Sequence, residues 1–211
     1  MIKLKEFTFN PFQVNTYLLN NEEKECIIID PACSNQEEEK VLADYIQEQE
    51  LNPIMLINTH CHIDHITGNQ FVYDTWGLKP VIHRKGLPIL ESSSEQALFL
   101  GFPATKGPAP EQFLQDNEKI HLGNSSIEVR YTPGHADGSI CLILHDERFI
   151  ISGDVLFAGS VGRADLPTGD MALLQKSIEE KLLSLPDDFT VYPGHGPSTT
   201  IREEVNGNPY L

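Results

Sequence analysis

The chain has 211 residues, of which 40% are hydrophobic and 22% are charged. This is the composition of a globular protein, and we expect one domain that spans residues 1–211. Fifteen basic side chains against thirty-one acidic ones give a net charge of −16. Such a balance disfavours binding to nucleic acid or to an anionic membrane, because both require clustered positive charge.

The start of the chain, MIKLKEFTFN, lacks the long apolar stretch of a secretion signal. No run of about 18 apolar residues predicts a membrane span. The four cysteines form no close CxxC pair, and they do not indicate a disulfide framework. We therefore expect a cytoplasmic protein with a small-molecule partner, and no pattern in the sequence specifies an oligomeric state.

The first half of the chain is rich in short apolar runs that predict strands. Three strands are predicted at IKLKEFTF, VNTYLLN and ECIIID. A helix follows at SNQEEEKVLADYIQEQE, with Ser34 or Asn35 as its cap. A buried strand, IMLIN, then leads into NTHCHIDHITGN at residues 58–69, and a short helix (NQFVYDTW) and another strand (KPVIH) come next.

The second half begins with residues 85–118, which have no clear period and include a Gly- and Pro-rich segment, GFPATKGPAP. We expect this segment to be a loop that covers a pocket. Strands return at KIHL, SIEVRYT, SICLIL and RFIIS, and a helix at DMALLQKSIEEKLLSL, capped by Asp170, precedes the strand FTVY. This order predicts an α/β protein with two sheets and outer helices. A doubly wound nucleotide fold is disfavoured, because no Gly-rich phosphate loop follows the first strand.

Three histidines and one aspartate lie within six positions, from His60 to His65. Imidazole nitrogen and carboxylate oxygen are good ligands for zinc, iron or manganese. In an extended segment, residues two apart point to the same side, so His60 and His62 are expected to face one ion while Cys61 faces away. Asp64 and His65 follow on a turn and are placed to reach a second ion. A lone histidine is usually a hydrogen-bonded polar ring, but a cluster of this density predicts a metal site.

Three more candidate ligands each lie beside a glycine that follows an apolar run, in YTPGHADGS, IISGDVLF and VYPGHGPS. Glycine lets the backbone turn sharply at a crowded site. These candidates are His135, Asp154 and His195. The remaining histidines lack this context, and we interpret them as structural or surface residues: His83, His121 and His145.

The pattern HxHxDH, followed by His, Asp and His in Gly-flanked turns, resembles the metallo-β-lactamase superfamily over residues 58–200. The resemblance implies a four-layer αββα sandwich of two mixed β-sheets with outer helices. It also implies two divalent metal ions, with zinc expected and iron or manganese as alternatives. The implied ligands, carried over by motif, are for the first ion His60, His62 and His135, for the second ion Asp64, His65 and His195, and for both ions Asp154.

Within the superfamily, ISGDVLFAGSVGRADLPTGD is most similar to the glyoxalase II branch, the hydroxyacylglutathione hydrolases, and particularly to its short bacterial members. This similarity implies hydrolysis of a thioester by a hydroxide that bridges the two metals, with catalytic roles for Asp64 and Asp154. Arg163 matches a basic position that this branch uses toward glutathione. A salt bridge with Asp165, which replaces a tyrosine of the long-form enzymes, is an equally weighted role for Arg163.

The superfamily includes other activities, one of which remains an alternative for this chain. A persulfide dioxygenase, an oxidoreductase with one iron, keeps much of the same ligand set and remains the main alternative. True β-lactamases carry cysteine or serine at the position of Asp154. A nuclease needs a basic track for phosphates, which the acidic composition argues against. A metal-binding protein without catalysis would not need both ligand triads and the bridging residue.

Overall fold

The computed structural model describes residues 1–102 and 107–211, without the side chains of residues 99 and 100. Part of the predicted loop GFPATKGPAP, residues 103–106 with Lys106, therefore lies outside the described residues. None of the helices within the described ranges is long and apolar enough to cross a membrane.

The first sheet has six strands in the order of the chain, from β1 to β6. β1, β2 and β3 are antiparallel, whereas β3, β4, β5 and β6 are parallel. The antiparallel strands are joined by short turns, and the parallel ones by longer connections that contain helices, as parallel pairing requires. The strands are β1 Lys3–Phe9, β2 Val14–Asn20, β3 Glu25–Ile29, β4 Asn52–Ile57, β5 Pro80–His83 and β6 Gln112–Leu114.

The second sheet also has six strands, in the order β14-β13-β10-β9-β8-β7. β7 to β10 form an antiparallel meander, and β13 adds parallel to β10. Its strands are β7 Lys119–Leu122, β8 Ser125–Tyr131, β9 Ile140–Leu144, β10 Phe149–Gly153, β13 Thr190–Pro193 and β14 Thr199–Thr200. Between β10 and β13 lies a small hairpin, formed by β11 Leu156–Phe157 and β12 Ser160–Val161.

The helices include those that the sequence predicts. Asn35, and not Ser34, caps the first helix by accepting hydrogen bonds from the backbone of Glu37 and Glu38, and Asp170 caps the sixth. The sequence does not predict α2, α4, α5 and α7, because their apolar residues show no helical period of useful length. The helices are α1 Gln36–Glu48, α2 Ile63–Ile66, α3 Asn69–Trp76, α4 Leu87–Glu91, α5 Ser93–Leu100, α6 Met171–Lys181 and α7 Ile201–Gly207, with a 3₁₀ turn at Arg84–Gly86.

Both sheets are buried on both faces, which produces the four-layer sandwich. In β10, Phe149 and Ile151 pack between the two sheets, whereas Ile150 packs toward α6. In β3, Ile27 and Ile29 face the other sheet, and Ile28 packs with residues of α1. Alternate residues of a strand point to opposite faces, so strands covered on both sides read as continuous apolar runs. The predicted αββα architecture is confirmed.

The strand directions bring the histidine- and aspartate-bearing loops to one edge of the sandwich. β3 and β4 are parallel, so both end at that edge, and β8, β10 and β13 run in one direction within the other sheet. Two backbone hydrogen bonds join the sheets there: Ile140 N donates to the Thr59 carbonyl at 2.8 Å, and Asn15 N donates to the Gly194 carbonyl at 2.7 Å.

Candidate metal centre

Three histidine side chains form a first group at this edge. Potential ligand atoms of His60, His62 and His135 all lie within 4.8 Å of one another. Nδ1 of His62 is 2.9 Å from Nε2 of His135. Nδ1 of His135 donates to the carbonyl of Arg163 at 2.8 Å, because a carbonyl oxygen can only accept. The neutral ring of His135 therefore presents a lone pair at Nε2, toward the other two rings.

A second group contains Asp64, His65 and His195, whose ligand atoms also lie within 4.8 Å of one another. The Nε2 atoms of His65 and His195 are 3.3 Å apart, and Nε2 of His195 is 3.5 Å from Oδ2 of Asp64. The Nδ1 atoms face acceptors, since His65 contacts Asp30 at 3.0 Å and His195 contacts the Phe12 carbonyl at 2.9 Å. Both rings consequently direct Nε2 toward the same small volume.

Asp154 lies between the two groups. Its Oδ1 is 3.3 Å from Nε2 of His65, and its Oδ2 is 3.5 Å from Nε2 of His195 and 3.7 Å from Nε2 of His135. One carboxylate therefore contacts a histidine of the first group and two histidines of the second. This position fits a ligand that is shared by two ions.

Two buried acceptors of the centre fit bound cations. Within the described part of the chain, neither Nε2 of His60 nor Oδ1 of Asp154 forms a hydrogen bond of good geometry, although Oδ1 of Asp154 lies 3.3 Å from Nε2 of His65. Leaving a buried polar atom without a partner costs about 1–3 kcal/mol, and buried polar atoms are rarely unpaired in native proteins. The donor set of imidazoles and carboxylates suits zinc, iron or manganese, so the residues present fit the two ions that the family resemblance implies.

The two groups differ in their protonation in the metal-free protein. Burial lowers the pKa of His60 and His135, and it lowers that of His62 to about 4. Burial would also lower the pKa of His65 and His195, but nearby carboxylates reverse this effect. They hold the pKa of His65 well above its usual value and raise that of His195 to about 9. At neutral pH the first group is therefore neutral, whereas the second group binds protons.

Asp64 and Asp154 stay ionised beside these rings. Burial alone would raise the pKa of both carboxyls, but the adjacent His65 lowers the pKa of Asp64 below its usual value and that of Asp154 far below it. The centre thus combines permanent negative charge with neutral imidazole nitrogens at the first group. Divalent cations can bind these donors once they displace the protons of the second group.

Glycine is required beside the ligands for a different structural reason at each position. Gly134 has a φ of 129°, and a Cβ there would lie 2.2 Å from the backbone nitrogen of Leu174. At Gly194 the constraint is space, because a Cβ would lie 2.1 Å from Oδ1 of Asp154. A side chain at either position would displace the centre or the helix against it.

Arg163 contributes to the centre through its backbone carbonyl, which fixes His135. Its side chain forms a two-point ion pair with Asp165, with both nitrogen–oxygen distances at 2.8 Å, on the protein surface. The predicted salt bridge is thus present. A contact with substrate stays a prediction.

Of the other singled-out residues, Cys61 is buried, and its sulfur would lie 3.1 Å from a Cβ added at Gly86. Its packing away from the centre agrees with the expected alternation. His83 stacks on Tyr131, and His145 pairs with Glu128, so both have structural or surface roles.

Asp30, which no sequence motif identifies as a site residue, supports both groups through Thr59 and His65. Its Oδ1 accepts from the Thr59 backbone at 2.7 Å, and its Oδ2 accepts from the Thr59 hydroxyl at 2.5 Å and from His65 at 3.0 Å. The Thr59 oxygen in turn lies 3.2 Å from Nδ1 of His60. Asp30 belongs to a third group of potential ligands with His60 and His65, but these contacts already use its oxygens. The available signal was an acid directly after a buried strand, without an adjacent glycine.

Comparisons with known proteins agree with this arrangement. Residues 9–195 match the family model of the metallo-beta-lactamase superfamily. The chain is 37% identical over 206 residues to hydroxyacylglutathione hydrolase GloC from Haemophilus influenzae, covering 95% of this chain and 93% of that protein.

Two solved structures are also similar. The crystal structure of BLEG-1 B3 metallo-beta-lactamase has a TM-score of 0.91 and 35% identity and covers 99% of both chains. TTHA1623 in a di-iron-bound form has a TM-score of 0.88 and 33% identity, covering 98% of this chain and all (100%) of that one. A di-iron relative leaves zinc, iron and manganese as candidates. The chain belongs to the metallo-beta-lactamase superfamily.

Proposed function

We propose that the protein is a hydrolase that uses two divalent metal ions to cleave a thioester, such as a hydroxyacylglutathione. The observation that carries this proposal is the position of Asp154, whose two oxygens contact histidines of both groups. The 37% identity to GloC, a hydroxyacylglutathione hydrolase, supports the thioester class. The same branch of the superfamily is indicated by the segment around Asp154.

In this proposal the two groups hold one ion each, and Asp154 belongs to both. Zinc is the expected ion, with iron or manganese as alternatives. When bound, such cations lower the pKa of water and polarise a carbonyl group. The ligands would be His60, His62 and His135 for the first ion, Asp64, His65 and His195 for the second, and Asp154 for both.

The protein's own residues position the reacting groups. Backbone carbonyls of Arg163 and Phe12 and the carboxylate of Asp30 hold one Nδ1 proton each, so that the rings cannot rotate away. Asp64 is ionised, and its carboxylate can accept a hydrogen bond from the attacking water. Asp154, which is also ionised, keeps the two ligand groups at a fixed separation.

The chemistry of the leaving group favours a thioester over an amide. The pKa values of Asp64 and Asp154 are lowered, so neither carboxyl is available as an acid at neutral pH. A thiol has a pKa of about 8.5 and leaves as thiolate without a proton donor. An amide nitrogen needs such a donor.

Arg163 is proposed to contact an anionic thiol carrier at the first group. Its carbonyl is bound to His135, so its exposed side chain emerges beside that group. The ion pair with Asp165 is exposed, and exposed ion pairs contribute little to stability because water screens them. A substrate carboxylate can therefore displace Asp165 at little cost.

Metal analysis of protein purified without added metal, paired with turnover of lactoylglutathione, tests the proposal. We expect close to two ions per chain and release of free thiol, and we expect Asp64→Ala to remove turnover while the fold is kept. One iron per chain, with oxygen consumed on addition of glutathione persulfide, would support the dioxygenase instead. Faster cleavage of a β-lactam than of any thioester would support a lactamase.

A further inference from the structure

The turn between β1 and β2, residues 10–13, is anchored on the second group of the centre. The Asn10 side chain donates to the Asp64 carbonyl at 2.9 Å and to the Ala32 carbonyl at 3.1 Å. The Phe12 carbonyl accepts from Nδ1 of His195 at 2.9 Å. Within the turn, Gln13 N donates to the Asn10 carbonyl at 3.0 Å. The turn is thus fixed directly against two of the proposed ligands of the second ion.

The side chain of Phe12 takes no part in this anchoring. All of the contacts above are made by backbone atoms or by Asn10, so the turn does not require an aromatic residue at position 12. The Phe12 ring is nevertheless held in place, since it stacks on Phe102 with 5.2 Å between ring centroids and 28° between planes. It also remains 43% exposed. A ring that only filled the core would be buried.

Another aromatic ring, that of Phe157, lies next to His195. Phe157, on the β11–β12 hairpin, meets the ring of His195 edge to face, with centroids 6.3 Å apart. The Phe157 ring therefore borders the second group, and the exposed Phe12 ring belongs to a residue whose backbone carbonyl contacts the same histidine. Single exposed aromatic residues are common on protein surfaces. Phe12 differs because its backbone carbonyl is hydrogen-bonded to His195, a proposed metal ligand.

The residue beside the first group is charged, whereas the residues beside the second group are apolar. The residue that fixes His135 through its carbonyl is Arg163, a cation with an exposed side chain, whereas the residue that fixes His195 is Phe12. In each group, one backbone carbonyl thus holds a ligand histidine. It belongs to the charged Arg163 at the first group and to the apolar Phe12 at the second. A substrate with an anionic half and an apolar half would match this difference in only one orientation.

We propose that Phe12, supported by Phe102, binds the acyl half of the substrate and selects uncharged, apolar acyl groups, while the anionic thiol carrier lies toward Arg163. This inference rests on the proposed thioester hydrolysis and adds the class of acyl group. Burial of apolar surface against the exposed ring supplies the selectivity, and it grows with the length of the acyl chain. A second negative charge on the acyl half would gain nothing from the Phe12 ring and would face the carboxylates of the centre.

The test uses thioethers of glutathione that cannot be hydrolysed, with S-methyl, S-propyl and S-hexyl groups, titrated into the metal-loaded protein. We expect each added methylene to tighten binding by about two- to fourfold. Phe12→Ala should flatten this dependence, and Phe12→Leu should restore most of it. Tyr73→Ala, at an aromatic residue on α3 that is 37% exposed, is the matched control and should bind as the wild type does. Metal content should be equal in all variants, because the Phe12 carbonyl is retained.

Turnover of acetyl, butyryl, hexanoyl and succinyl thioesters of glutathione separates this inference from the proposed function. Hydrolysis that is independent of acyl length, or as fast for succinyl as for hexanoyl, would overturn the acyl subsite and leave the hydrolase intact. Absence of turnover, with thioether binding that still depends on chain length and on Phe12, would overturn the hydrolase and support the subsite. Absence of thioether binding would overturn the subsite.

Discussion

The buried carboxylate of Asp30 accepts the Nδ1 proton of His65 at 3.0 Å, and so orients Nε2 of His65 toward the second ligand group. In Asp30→Asn, the amide oxygen can still accept a hydrogen bond from the Thr59 backbone nitrogen. The amide NH₂ then faces His65. That donor forces the proton of His65 to Nε2, where it blocks a metal ion.

We expect Asp30→Asn to weaken binding of the second ion by about 10- to 100-fold, the usual effect of removing a partner of a ligand histidine. Competition with a chelator measures this loss directly. Asp44→Asn, at an exposed acid on α1 that pairs with Lys40, serves as the control and should keep both ions. Equal affinity of Asp30→Asn and wild type for both ions would contradict the positioning role.

The two groups should also differ in how their metal affinity depends on pH. In the metal-free protein His195 has a pKa of about 9, and that of His65 is well above its usual value, so an ion must displace protons from the second group. His62, with a pKa of about 4, binds no proton near neutrality.

Raising the pH from 6 toward 9 should therefore tighten binding at the second group by about tenfold per unit for each proton displaced, and change the first group little. Variants that isolate one group allow the comparison. His62→Ala, which keeps the second group, should bind one ion and release protons. Asp64→Ala, which keeps the first group, should bind one ion and release far fewer protons. Calorimetry in buffers with different heats of ionisation counts these protons, and equal release in the two variants would refute the asymmetry.

Gly194→Ala tests how closely the centre is packed. A Cβ at Gly194 would lie 2.1 Å from Oδ1 of Asp154 and 2.7 Å from Cε1 of His65. Because small displacements at a reacting centre can cost about 100-fold in rate, we expect at least that loss in kcat/KM, together with fewer ions per chain. Gly207→Ala, where a Cβ would have open space, should leave turnover and metal content unchanged. Wild-type turnover by Gly194→Ala would show that Asp154 need not occupy its observed position.

The ion pair between Arg163 and Asp165 should modulate recognition of the thiol carrier. Removing Asp165 frees the guanidinium, so Asp165→Ala should lower KM for glutathione thioesters several-fold, and Arg163→Ala should raise it. Neither change should alter KM for a thioester of an uncharged carrier. Neither should measurably change the free energy of unfolding, because the ion pair is exposed. Equal effects on charged and uncharged carriers would show that Arg163 does not contact the carrier's charge.

Much of the site's location follows from local sequence patterns. The spacing of His60, His62 and His65 indicates ligands on a short segment, and glycine-flanked polar residues after apolar runs indicate the other loops. The structure brings all seven predicted ligands together at one edge. Local patterns suffice here because strands that run in one direction end at the same edge, wherever they lie along the chain.

Other parts depend on contacts that are distant in sequence. Asp30 acts through contacts with Thr59 and His65, and Phe12 acts through a contact with His195. The residues adjacent to them in sequence therefore do not indicate either role. The hairpin β11–β12 and helix α7 are too short for a hydrophobic period to identify them. They are stabilised by tertiary contacts, for example by the buried Glu204, which accepts hydrogen bonds from Gly159 and Thr199.

The most direct test of the central claim is anomalous diffraction from crystals of protein that has been loaded with zinc. We predict two peaks per chain about 3.5–4 Å apart, one surrounded by His60, His62 and His135 and the other by Asp64, His65 and His195, with Asp154 bound to both. A single peak, or a second peak that Asp154 does not reach, would contradict the account.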